Sequence, residues 1–131
     1  MKHGDLTEQV IRGFYKVYNT LGYGFLEKVY QNAMVIELRR MGLQVEPQAR
    51  IDVYYEGEKV GEYYADLLVN SCVIVELKAM EQLCEENHAQ LLNYLKASGI
   101  EVGLLLNFGP KPELKRKIMD KYPRVEDYPA F

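Results

Sequence analysis

The chain has 131 residues, of which 48% are hydrophobic and 27% charged, with 10 glycines and 5 prolines. That is the length of one domain, since two halves would each be too small to bury a core, and the composition excludes a disordered tail or a fibrous repeat. A net charge of −3, from 16 basic and 19 acidic residues, argues against holding nucleic acid through a general positive field and leaves room for a local basic groove.

No stretch approaches the ~18 consecutive apolar residues of a membrane span, and the start MKHGDLTEQV lacks the apolar core of a signal peptide. Two cysteines, Cys72 and Cys84, are too few for a disulfide framework. A cytoplasmic protein with reduced cysteines is expected.

Leu6, Val10, Phe14, Val17 and Leu21 recur at three- and four-residue spacing and predict an amphipathic helix over 5–21, stopped by Gly22. A second helix is predicted over about 25–41, between Gly24 and Gly42. The pattern then changes to runs rich in Val, Ile and Tyr: ARIDVYY, VGEYYADLLV and CVIVELKA, separated by the turn signals EGEK and NS. These predict three antiparallel strands.

Helical spacing returns over 85–97 in EENHAQLLNYLKA, ended by Gly99, and EVGLLLNF reads as a buried strand. PELKRKIMDK, 112–121, predicts a short basic helix with proline in its first turn. The expected class is α/β: helices flanking a small mixed sheet, in a single domain over 1–131 with its core at about 5–109 and the basic helix after it.

Charged residues on faces assigned to the interior are the informative ones. On a helix, Glu27 falls within about 60° of Tyr30, Met34, Leu38 and Met41, so its carboxylate is expected in the middle of an apolar stripe. Asp66 interrupts YYADLLV, and Glu76 and Lys78 interrupt VIVELKA on one face of their strand. Any one acid alone fits a strand end or a salt bridge. Together they exceed what one lysine neutralises, and a divalent cation held by hard oxygen ligands answers the imbalance.

The next helix places Gln90 and Tyr94 four residues apart on one face, where an amide can orient a water or contact a phosphate and a hydroxyl can hold a lysine or a phosphate oxygen. As bare helix residues they fit surface or packing roles better. Cys84 and His88 would supply half of a zinc site, with no further ligands evident. Lys111, Lys115, Arg116, Lys117 and Lys121 form a basic face, read first as a solvated helix and second as a nucleic-acid contact.

At this point the residues resemble a known family. LGYGFLEKVYQNA, with Gly24, Glu27 and Tyr30, is similar to the signature of the GxxExxY proteins of the PD-(D/E)xK nuclease-like superfamily. The resemblance runs on through YYADLLV, VIVELKA, HAQLLNYLKA and GLLLNFG, covering about residues 5–109. Each motif is short; five in order at workable spacing carry the resemblance.

It implies a restriction-endonuclease-like core of helix, three strands, helix and strand, and a phosphodiesterase site using Mg²⁺ or Mn²⁺. Residue by residue, it implies Glu27 as the first-helix acid, Asp66 as the motif Asp, Glu76 and Lys78 as the (D/E)xK pair, and Gln90 and Tyr94 as the QxxxY motif of the RecB-like branch. Ala65 stands where the superfamily name has proline.

The implied activity is hydrolysis of nucleic acid, DNA in preference to RNA. Asp66 and Glu76 would hold the metal, with Glu27 directly or through water and the Val or Leu carbonyl beside Lys78. Tyr30 and Tyr94 are expected behind the site, their hydroxyls bonded to the acids, to Lys78 or to nearby backbone. A homodimer would widen so small a binding surface. The competing reading is a module that keeps the fold without turnover and binds nucleic acid or a protein.

The hairpin carries a separate expectation. A two-residue loop at Asn70 and Ser71 would set Asp66 opposite Val75 and send Glu76 to the other face. A three-residue loop of Asn70, Ser71 and Cys72 instead pairs Asp66 with Glu76, as a shared metal requires.

Overall fold

The structure, a computed structural model, describes residues 3–119. Two helices, α1 (Gly4–Leu21) and α2 (Glu27–Arg40), lead into strands β1 (Val45–Tyr55), β2 (Glu58–Val69) and β3 (Val73–Lys78). Helix α3 (Glu85–Ser98) then crosses to β4 (Val102–Phe108), and β5 (Pro112–Ile118) closes the described chain. The five strands lie in sequence order, antiparallel except for the parallel pair β3 and β4 that α3 connects.

Helices α1 and α2 cover one face of the sheet. Val10, Phe14, Tyr30, Met34 and Leu38 pack there against Val73, Val75 and Leu77 of β3 and against Leu104, Leu106 and Phe108 of β4. The other face carries α3, whose Leu91, Tyr94 and Leu95 meet Ala65, Ile74 and Leu105. Alternation along β3 therefore sends Val73, Val75 and Leu77 to the two leading helices and Ile74, Glu76 and Lys78 toward α3. Gly103 lets α3 lie directly on β4, because a Cβ there would come 2.7 Å from Leu91 Cδ1. Since α3 returns the chain from the end of β3 to the start of β4, its first turns sit at the Lys78 end of the sheet.

The expected helix over 112–121 is not formed. Residues 112–118 make the edge strand β5, with Leu114 opposite Leu106 on the α1–α2 side and Lys115 opposite Leu105 on the α3 side. Without this strand the fully buried β4 would present an unpaired edge, and that ladder outweighs a short stretch's helical preference. Pro112 is accommodated as the first residue of an edge strand. Lys121 lies outside the described residues.

Between β2 and β3 the loop is Asn70, Ser71 and Cys72, with Val69 paired to Val73. Asn70 and Ser71 take positive φ (49° and 56°), and Cys72 N–H returns to Val69 O at 3.0 Å. The ladder Leu67↔Val75, Leu68↔Ile74, Val69↔Val73, continued by one step, sets Asp66 opposite Glu76. The odd-length turn expected for two acids on one face is the turn that forms.

Candidate active site

Past Leu67 the β2–β3 ladder is no longer closed by main-chain bonds, and carboxylates close it instead. Asp66 N–H donates to Glu76 Oε2 at 2.8 Å, and Leu77 N–H donates to Asp66 Oδ2 at 2.8 Å. Each acid thus accepts a main-chain N–H from the facing strand, which fixes both side chains without a cation.

The cost appears in protonation. Glu76 is 3% exposed, and its pKa is pushed up to about 9, first by burial and then by the negative charge of Asp66. The two carboxyls lie within hydrogen-bonding reach of each other. The N–H bond from Asp66 and the nearby Lys78 ammonium pull the other way and do not cancel the penalty.

Tyr94 looks into the same place. Its hydroxyl is held above the usual phenol value by burial and then by Glu76, Asp66 and Tyr63, and its ring lies 5.3 Å from that of Tyr63. Gln90, one turn nearer the Lys78 end, is exposed on α3. Cys84 serves α3 itself: it is the N-cap, closing a capping box with Asn87.

Glu27 is not the buried acid that its stripe predicts. Tyr30, Met34 and Leu38 of that stripe are buried, but Glu27 is exposed. It is the first residue of α2, one turn ahead of the part that meets the core, where the positive end of the helix favours a carboxylate. The preceding segment also leaves Tyr23, Phe25 and Leu26 in solvent. Tyr30 holds that segment rather than the acids: its hydroxyl donates to Gly22 O at 2.7 Å and accepts Phe25 N–H at 3.2 Å, while its ring stacks on Phe108 at 4.1 Å. Tyr30→Phe is expected to cost about 1–3 kcal/mol, read as a lower urea midpoint, because both main-chain groups lose their partner.

Two glutamines that no pattern singles out join α2 to β1. Gln31, one turn beyond Glu27, is buried, and its Oε1 accepts Gln48 Nε2 at 2.7 Å. Gln48 has φ 51° inside β1, and the ladder there pairs Pro47↔Leu67 and Ala49↔Ala65, passing over Gln48 and Asp66. A left-handed, non-glycine residue in mid-strand is the mark a sequence does not display.

Asp66 and Glu76 are therefore brought together, with Lys78 and Tyr94 beside them, whereas Glu27 and Gln90 stand exposed on flanking helices. Among the described residues no group of three or more His, Cys, Asp or Glu is placed to hold a metal ion. A cation would rest on the pair and on main-chain oxygens. The chemistry of the pair suits one: hard oxygens that repel each other, those of Glu76 also desolvated.

Residues 4–118 match the PD-(D/E)XK nuclease superfamily. The chain belongs to that superfamily. The letters of its name fall on Asp66 and on Glu76-Leu77-Lys78, with Ala65 in the proline position. The superfamily's restriction-endonuclease-like core is consistent with the mixed sheet between α1–α2 and α3.

A distant structural likeness, the crystal structure of SSO0001, is 18% identical, with a TM-score of 0.55 over 91% of this chain and 61% of that one. It speaks to the fold alone, and this chain spans about three fifths of that protein's length. No protein of curated function matches the sequence. Among the described residues no helix is long and apolar enough to cross a membrane.

Proposed function

We propose that the chain is a Mg²⁺- or Mn²⁺-dependent nuclease of the GxxExxY group and the RecB-like QxxxY branch, acting in the cytoplasm on nucleic acid, DNA in preference to RNA. The observation that carries the proposal is the Asp66–Glu76 pair: a buried Glu76 against a half-buried Asp66, both fixed by main-chain N–H bonds, with Lys78 close by. The preference for DNA rests on the family resemblance.

Asp66, Glu76 and the Leu77 carbonyl are the groups that would hold the ion, with Glu27 reaching it through water. A divalent ion so bound supplies a Lewis acid at the phosphate oxygen and lowers the pKa of water. The Lys78 ammonium stabilises the charge that grows on the pentacoordinate phosphate. Gln90 would orient the attacking water, whose oxygen forms the new bond to phosphorus as the bond to the leaving sugar oxygen breaks; the water's proton passes to solvent, and solvent water protonates the leaving oxygen. Tyr94 holds the acids from behind, and Tyr23 and Phe25 offer exposed rings on which bases can stack.

A second reading, a catalytically silent module binding nucleic acid or a protein, is favoured by the exposure of Glu27 and Gln90. The two separate in one assay: purified protein with labelled single- and double-stranded DNA and RNA in Mg²⁺, in Mn²⁺ and in EDTA. Cleavage in metal that EDTA stops is expected. Binding without cleavage in every metal would leave the module.

A further inference from the structure

Asn107 is fully buried in an otherwise apolar strand, VGLLLNF. The register sets it beside Lys78 on β3 and Glu113 on β5. Packing alone would be served by leucine there, and a buried amide is costly unless its bonds are made. Asn107 makes three.

Its side chain continues the pairing that β3 and β4 give up after Lys78. Oδ1 accepts Met80 N–H at 3.0 Å and Nδ2 donates to Met80 O at 3.0 Å. Nδ2 also donates to Glu113 Oε1 at 2.9 Å, and that oxygen accepts Leu83 N–H at 3.1 Å. Both ties land on the connection between β3 and α3. Behind it, Gly109 lets the main chain come close, for a Cβ there would lie 2.4 Å from Met80 O. The Tyr18 hydroxyl donates to Gly109 O at 2.6 Å and so pins the β4–β5 corner to α1.

We infer, building on the nuclease reading, that Asn107 is a positioning residue: with Glu113 it fixes the 79–84 connection and thereby holds Lys78 against the acid pair. Lys78 is the last residue of its strand, and a long side chain at a free strand end samples many rotamers. Tying Met80, two residues on, removes the fraying that would let the ammonium wander. The same connection sets the start of α3 and hence Gln90 and Tyr94.

Asn107→Leu keeps the approximate volume and removes all three bonds. With the full chain, Mn²⁺ and a labelled oligonucleotide, kcat is expected to fall roughly 10- to 100-fold with KM unchanged, as for a displaced catalytic group. Amide exchange at Met80 and Leu83, and acetylation of the Lys78 amine by acetic anhydride read by mass spectrometry, should both speed up several-fold. Asn107→Asp alone sets two carboxylates face to face. Combined with Glu113→Gln it regains their mutual bond and the acceptor for Met80 N–H but leaves Met80 O facing a carboxylate oxygen, so part of the lost rate should return.

Unchanged exchange and unchanged Lys78 acetylation in Asn107→Leu overturn the inference. If the wild-type protein cleaves nothing, the nuclease reading fails while those two measurements still decide the clamp. Should Asn107→Leu not fold, Glu113→Leu on the edge strand cuts the Leu83 tie and the bond to Asn107, and the same readings apply.

Discussion

Lys78→Ala is expected to lower kcat on the order of 10²- to 10³-fold with KM nearly unchanged, the loss that follows removal of a preorganised group stabilising transition-state charge. The ammonium lies near enough to Glu76 to draw its pKa downward, so it shares the acids' surroundings. Asp66→Asn and Glu76→Gln should cost at least as much, since each removes a charge proposed to hold the metal and one of the carboxylates that close the ladder. Initial rates at saturating oligonucleotide in Mn²⁺ measure all three. A Lys78→Ala enzyme within about threefold of wild type, well inside the loss expected of such a group, would remove this residue from the chemistry.

A residue's role is legible in the sequence only as far as its signal is local. Asp66, Glu76 and Lys78 stand out in the sequence because a strand's period of two is strict and a charge on a face assigned to the interior is conspicuous. The same rule applied to VGLLLNF singles out Asn107, a polar residue inside a buried run, and its meaning emerges only with the partners that the fold brings to it. Glu27 misled because helical angle says which face a residue shares and not where along the helix the core ends.

PELKRKI misleads for a related reason. Its local pattern suits a helix, and the unpaired edge of β4 that recruits it is more than local information. Gln31 and Gln48 left no trace, since one polar residue on a helix and another on an edge strand are ordinary until a positive φ and a 2.7 Å bond join them opposite Asp66.

The acid pair also makes stability depend on pH in a direction opposite to that of an ordinary salt-bridged carboxylate. The Glu76 pKa is about 9 in the folded chain against 4.5 when unfolded. The native state therefore binds the extra proton between those values, and stability falls as pH rises. The contribution is fully present below the unfolded pKa and lost by the folded one. With one extra proton bound, the slope is about 1.4 kcal/mol per pH unit. From pH 5.5 to 7.5 metal-free protein should lose a few kcal/mol, roughly 10 °C in Tm for a domain of this size. Glu76→Gln has no such proton to lose, so its Tm should decline less over that interval and exceed that of the wild type at pH 7.5.

Divalent metal should reverse the order. A cation replaces the shared proton, so at pH 7.5 millimolar Mn²⁺ should raise the wild-type Tm, by about 2.7 kcal/mol of stability at a hundredfold excess over Kd. Asp66→Asn and Glu76→Gln should give no such rise. Parallel melting curves for wild type and Glu76→Gln across pH, with neither moved by Mn²⁺, would mean that the two carboxylates are held by their N–H bonds alone and that the pair is not a metal site.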